Sequence, residues 1–253
     1  FAVAQKAPTR SDFTDRYMFA EANTYPSSEK LYDWELGYQY TAPRLSLGVN
    51  LYYMKYKDQL VPTGMVNAGS DALNTNVSDS YRRGVELSAS WRATGWFTVG
   101  ANATFSQNRI ENYVDALKDS PTYGKELGDM TIAYSPDVIA NAFLNFHHRG
   151  FEAVFHTQHV GKQYFTNNEN DALSLDAYCV TNLNLAYTFR TRSARSVRLG
   201  LLINNLFNAE YESNGYGYSY MDTWSGPAPV RIDEAYYFPQ APLNVLANVT
   251  VKF

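Results

Sequence analysis

Residues 45–53 read LSLGVNLYY, and their parity decides the fold. Leu45, Leu47, Val49, Leu51 and Tyr53 are apolar, and Ser46, Gly48, Asn50 and Tyr52 stand between them. Alternation with a period of two marks a strand with one apolar face. Residues 97–105 repeat it, with Phe97, Val99, Ala101, Ala103 and Phe105 against Thr98, Gly100, Asn102 and Thr104. So does the final stretch, where Leu243, Val245, Ala247, Val249, Val251 and Phe253 alternate with Asn244, Leu246, Asn248, Thr250 and Lys252. Less regular versions cover 31–41, 82–93, 137–147, 151–160, 176–189 and 197–206. With a stub at 1–5, about ten strands result, most near the length that crosses a tilted bilayer span.

A soluble sandwich also alternates, so the class rests on three further features. The polar parity carries mainly Ser, Thr, Asn and Gly, whereas a water-facing surface carries a denser mixture of charges. Aromatic side chains collect near strand ends (Tyr38, Tyr40, Tyr53, Tyr56, Trp91, Trp96, Phe97, Tyr187, Phe189 and Phe253), as interfacial girdles do. The connections alternate in length: short at 42–44, 94–96, 148–150 and 190–196, long at 6–30, 59–81, 107–136, 161–175 and 207–241. Compact soluble domains rarely hold several structureless loops of that size, whereas membrane barrels do. The expected fold is therefore all-β, an antiparallel transmembrane β-barrel.

Composition excludes other classes. A net charge of −4 argues against nucleic-acid binding. One cysteine, Cys179, leaves no disulfide framework and no Cys-rich zinc site. No apolar run reaches the roughly 18 residues of a transmembrane helix. The mean hydropathy of −0.38 is compatible with a barrel, in which only alternate strand residues face lipid. No catalytic elbow, zinc-protease helix or phosphate-cradling loop is present, so no enzyme activity and no cofactor is expected. A rim site built on Ser70, Asp71 and Ser78 lacks a histidine nearby, since the histidines fall on a turn or in mid-strand. His147 and His148 read as solvated turn residues; His156 and His159, three apart on one strand, point to opposite faces.

Several segments, taken in order, resemble the TonB-dependent outer-membrane receptors of Gram-negative bacteria. They are FAVAQKAPTRSDFTDRY (1–17), EKLYDWELGYQY (29–40) with Tyr32, Glu35 and Gly37, and SYRRGVELSASWRATGWFTVGANATF (80–105) with Gly84, Val85 and Glu86. INNLFNAEY (203–211) resembles the penultimate-strand signature, and NVTVKF the last strand. The resemblance implies that residues 1–253 are the C-terminal portion of a barrel of about 22 strands, its last ten. The plug domain and the N-terminal strands would then belong to another chain or to a further part of the same protein, since FAVAQ at 1–5 reads as a strand cut mid-pattern.

The implied function is active import, across the bacterial outer membrane, of a scarce large ligand of the iron–siderophore or cobalamin class. The implied partners are outer-membrane lipid, the remaining strands and plug, and the TonB–ExbB–ExbD complex acting through the plug. The Asn-Pro-x-Leu motif of haem receptors is missing before Tyr32, which disfavours haem. Alternatives are a passive porin, or a surface platform that docks a lipoprotein. Tyr216, Tyr218, Tyr220, Trp224, Tyr236 and Tyr237, in the loop at 207–241, are the candidate ligand contacts, because Tyr and Trp give large contact area at low ordering cost. Asp33, Glu35, Arg82, Glu86, Arg92 and Arg198 are expected to face the lumen, in contact with the plug or one another. Asp222, Asp233 and Glu234 carry charge suited to calcium but lack a calcium-loop spacing, so no metal is expected.

Overall fold

The computed structural model describes residues 1–14, 25–66 and 72–253. Its strands are β1 (Ala2–Lys6), β2 (Glu29–Ala42), β3 (Leu45–Val66), β4 (Ala72–Arg92), β5 (Phe97–Ile110), β6 (Met130–Thr131), β7 (Val138–His148), β8 (Phe151–Val160), β9 (Gln163–Tyr164), β10 (Ser174–Leu175), β11 (Tyr178–Phe189), β12 (Ser196–Asn204), β13 (Glu212–Asp222), β14 (Val230–Pro239) and β15 (Asn244–Lys252). A short helix, α1 (Arg10–Thr14), follows β1. Among the described residues, ten strands pair antiparallel in the order β1-β2-β3-β4-β5-β7-β8-β11-β12-β15, with β6 added beside β5. The path is an open sheet, with β1 at one edge and β15 at the other.

Register puts the two parities on two continuous faces. Leu36 lies opposite Leu51, Leu51 opposite Val85 and Val85 opposite Phe105, an apolar row across β2 to β5. The row continues from Ala101 to Ala142, and further round from Leu185 to Leu201 and on to Ala247. The opposite face carries Gly37 against Asn50, Asn50 against Glu86, and Asn102 against Asn141. Leu36, Trp91, Leu199 and Val249 are exposed on the apolar face, as lipid contact requires.

The tight turns match the expected short connections. Arg149 and Gly150 join β7 to β8 with φ of 48° and 85°, both left-handed, which suits the right-handed strand twist. A Cβ at Gly150 would collide with the Thr188 carbonyl oxygen, so the turn needs glycine there.

The long loops depart from expectation. Of residues 59–81, read as a loop, the described ones (59–66 and 72–81) are strand: β3 and β4 run 22 and 21 residues and stay paired from Leu45–Trp91 to Pro62–Asn74. A bilayer needs only about 9–11 residues of strand, so this hairpin projects far past the hydrocarbon. The segment at 207–241 likewise contains a separate hairpin, β13–β14, paired only with itself. Within 107–136 and 161–175 lie β6 and the small β9–β10 pair. Ser70 and Asp71 fall outside the described residues, while Ser78 lies within β4.

The buried core sits in the loop layer, not in the sheet. Phe165, Ile110, Leu173 and Val61 are the largest fully buried apolar side chains, and all belong to loops or projecting strand ends. Val61, Val77, Ile110, Tyr113 and Ile132 form one cluster; Phe165, Leu173 and Leu175 form another. A barrel wall cannot bury its own faces, because one meets lipid and the other a wet bore. The loops pack as a small domain on top of it.

Candidate ligand site

The hairpin β13–β14 is positioned by an alternation of glycine and tyrosine. Gly215 pairs with Tyr237 and Gly217 with Ala235 on one face; Tyr216 pairs with Tyr236, Tyr218 with Glu234 and Tyr220 with Ile232 on the other. The glycine face docks on Phe165 and Leu173. A Cβ at Gly215 would lie 2.7 Å from Phe165 Cζ, and one at Gly217 2.9 Å from both Phe165 Cδ2 and Leu173 Cδ2. Gly217→Leu should therefore lift the hairpin, costing about 1–3 kcal/mol as overpacking does. The expected result is faster protease cleavage within 212–239 with an unaltered barrel, and cleavage at the wild-type rate would refute the docking.

The tyrosine face is an aromatic ladder. Tyr216 stacks on Tyr236 at 4.9 Å between centroids and 14° between planes, with Phe238 at 6.2 Å and Tyr218 following at 6.4 Å from Tyr236. Three phenol groups converge on one carboxylate. Tyr218 and Tyr236 donate to Glu234 Oε2 at 2.6 and 2.8 Å, and Tyr220 to Oε1 at 3.2 Å. Donation from Tyr218, then Tyr236, holds the Glu234 carboxyl below its ordinary range, and Glu234 pushes both phenols up. At neutral pH the carboxylate is charged and the phenols keep their protons. Those three O–H groups are engaged, so Tyr218, Tyr220 and Tyr236 offer a ligand ring faces and oxygen lone pairs rather than donors.

Beside the ladder opens a cleft of about 490 Å³. Met65, Val66, Leu73, Leu117 and Met221 give it an apolar lining, with Tyr218, Ser219, Tyr220, Lys118 and Asp119 around them. The outer ends of β3 and β4 thus face the aromatic hairpin. A second, polar cleft of about 790 Å³ lies between β4 and residues 110–129. Its carboxylates are engaged: Asp79 by Lys55 and Lys57, Glu111 by Lys55, and Asp115 by Ser120 and Thr122.

Of the expected contacts, Tyr216, Tyr218, Tyr220 and Tyr236 come together. Tyr237 faces the other way, its ring 5.8 Å from Phe165, because adjacent strand residues point to opposite faces. Trp224 is 80% exposed in the turn beyond Asp222, away from the ladder. Asp222, Asp233 and Glu234 do not converge: Asp222 accepts from the Trp224 and Ser225 amides, Asp233 from Ser219 and Arg231, and Glu234 from the phenols. Among the described residues no group of three His, Cys, Asp or Glu is arranged to hold a metal ion.

On the sheet, Asp33, Glu35, Arg82, Glu86 and Arg92 share the polar face by register. Glu35 and Glu86 line a groove of about 660 Å³ with Asn50, Ser88 and Asn102. One carboxylate oxygen of Asp33 is buried with no hydrogen-bond partner. Arg82 reaches up to Ser135 at 2.9 Å and so ties the wall to a loop. Arg198, further round, holds Glu152 through two bonds of 2.9 and 2.7 Å.

Two residues that organise the loops escaped sequence reasoning. Phe165 is the seat of the hairpin. Asn167, fully buried, donates to the Pro62 carbonyl at 2.6 Å and accepts from the Ala133 amide at 2.7 Å, joining two loops to the projecting end of β3. The only signal for them is an aromatic between polar residues in QYFTNNEN (163–170).

Comparison with known proteins places these features in context. The family model described as "TonB dependent receptor-like, beta-barrel" matches residues 1–206. The pesticin receptor of Yersinia enterocolitica is 24% identical over 190 residues, 75% of this chain and 26% of that receptor. The ferric yersiniabactin uptake receptor of Yersinia pestis superposes with a TM-score of 0.62 at 20% identity, covering 89% of this chain and 30% of that one. A copper transporter, OprC, gives a TM-score of 0.66 at 19% identity, covering 99% and 36%. The chain thus spans about a quarter to a third of the length of these relatives.

Proposed function

The chain belongs to the TonB-dependent receptor-like β-barrel family, and from that premise we propose that it is the C-terminal barrel portion of an outer-membrane importer. Its ligand is scarce and large, of the iron–siderophore or cobalamin class, and the ferric chelate leads because a similar structure is a ferric yersiniabactin uptake receptor. The observation that carries the reading is the apolar cleft and aromatic ladder mounted above a wall with one apolar and one polar face.

Each part has a task. The apolar parity of the wall meets lipid, and the polar parity, with Asp33, Glu35, Arg82, Glu86, Arg92 and Arg198, faces the plug. Missing strands pair with β1 and β15, since in hydrocarbon each unpaired backbone group on those edges costs several kcal/mol. Tyr216, Tyr218, Tyr220 and Tyr236 contact the ligand at the outer rim, the last three held by Glu234 and Tyr216 by stacking on Tyr236. Trp224 and Tyr237 flank the site, one at the hairpin tip and one in its seat. The plug couples to TonB–ExbB–ExbD, which supplies the energy for release.

The test is uptake of a radiolabelled ferric siderophore by cells carrying the receptor. Collapse of the proton gradient should reduce accumulation to background while surface binding in the cold persists. Accumulation that continues without the gradient would make the barrel a passive porin.

A further inference from the structure

The net charge of −4 conceals two opposite ends. The short-turn segments 42–46, 92–98, 146–152, 188–198 and 250–253 carry eight Arg or Lys residues and one carboxylate, Glu152. Glu152 is already held by Arg198. The other seven are exposed, and among the described residues their side chains make no ion pair or hydrogen bond; Arg92 and Lys252 end strands on the polar parity, whereas Arg44, Arg149, Arg190, Arg192 and Arg195 stand in the turns. The loop end is the reverse: segments 6–14, 25–30, 55–66, 72–82, 107–137, 160–178 and 204–244 hold eighteen carboxylates and eleven cations. An excess of cations thus belongs to one end of the wall.

We propose that this short-turn rim binds the headgroups of anionic phospholipids through the turn arginines Arg44, Arg149, Arg190, Arg192 and Arg195. Two observations select lipid as the occupant. The first is continuity with the apolar face: Trp91, Trp96, Phe151 and Tyr187 are exposed at the same end. Aromatic residues of this kind settle where hydrocarbon meets headgroups, so the turns just beyond them lie at the depth of the phosphates. The second is distribution. The free turn arginines are spread over three of the four short turns, which follows the line of a bilayer surface rather than the outline of one compact partner. Long Arg and Lys side chains reach a headgroup while their stems remain against apolar surface. Clustered basic residues beside a membrane-spanning segment attract anionic lipid in the same way.

The experiment is fluorescence quenching of the full-length receptor, reconstituted in bilayers that contain either dibrominated phosphatidylglycerol or dibrominated phosphatidylcholine at equal mole fraction. The expected result is tryptophan quenching that reports about threefold or greater preference for phosphatidylglycerol, reduced by salt. Arg190→Gln/Arg192→Gln/Arg195→Gln should bring the preference to about one. Because those three share one turn, Arg44→Gln/Arg149→Gln provides a second variant at other turns, and it should reduce the preference in part. Equal quenching by both lipids in the wild type overturns the proposal. Inorganic phosphate that displaces phosphatidylglycerol at millimolar concentration would make the rim a soluble-anion site. Capture of poly-glutamate without lipid preference would make it a protein-docking surface. Either of these outcomes overturns the proposal too.

Discussion

Excision of residues 212–239, joining Tyr211 directly to Gln240, is expected to reduce ligand affinity at the cell surface at least about 100-fold and leave the barrel folded. The joint exists already: the Gln240 amide donates to the Tyr211 carbonyl at 3.0 Å, so the two ends of the hairpin are neighbours. No ladder pairing of the wall is lost with the excised strands, because among the described residues β13 and β14 pair only with each other. Asn205 continues to clamp the base by donating to the Ala209 and Ala241 carbonyls at 2.8 and 3.2 Å. What disappears is the aromatic ladder and one side of the apolar cleft. Aromatic anchors packed beside such clefts carry most of the energy in a recognition surface. Trp224→Ala is the contrasting variant, since Trp224 sits at the tip and outside the ladder; a loss below about threefold is expected. Retained siderophore binding after excision, together with loss of a surface lipoprotein partner, would turn the hairpin into a docking platform.

The wall was legible and the loop layer was not, for one physical reason. In β3, the parity of residues 45–53 is visible because lipid demands apolar side chains on one face and tolerates none of the polar ones. The same parity places Asp33, Glu35, Arg82 and Glu86 together on the polar face. Beyond the hydrocarbon that demand lapses. Residues 59–66 and 72–81 remain strand but carry Leu60, Val61, Pro62 and Thr63 in succession, since both faces of the projection pack on loops or meet water.

The hairpin at 212–239 was hidden differently. NGYGYSY (214–220) does alternate with a period of two, but its small parity is glycine, a residue depleted in strands, and so it reads as a loop. The glycines are there because Phe165 and Leu173 occupy the space where side chains would stand. A loop reading also groups Tyr236 with Tyr237, and strand geometry separates them. The seats themselves, Phe165 and Asn167, make contacts over a hundred residues away in one case, from Asn167 to Pro62, and no local pattern encodes such a contact.

Leu87→Arg should destabilise the folded barrel by about 2–4 kcal/mol, whereas Asn102→Arg, on the neighbouring strand, should cost less than about 1 kcal/mol. The two sites lie in the same part of the wall: Leu87 pairs with Val49 and Ala103, and Asn102 is the residue beside Ala103. Leu87 is exposed on the apolar parity, so an arginine there stands in hydrocarbon with no partner and must bend toward the interface. Asn102 is exposed on the polar parity, where it accepts from Asn141 at 3.2 Å, and an arginine there meets a wet groove near Glu86. The comparison cancels strand propensity and side-chain size, because both sites receive the same residue in mid-strand. Reversible urea unfolding in lipid vesicles measures the difference. A soluble stacked-sheet protein gives a different outcome, since there the apolar parity would be interior and Leu87→Arg would prevent folding in water as well as in lipid. Equal costs at the two positions would mean that neither face of the wall meets lipid, and the importer reading would fall with that result.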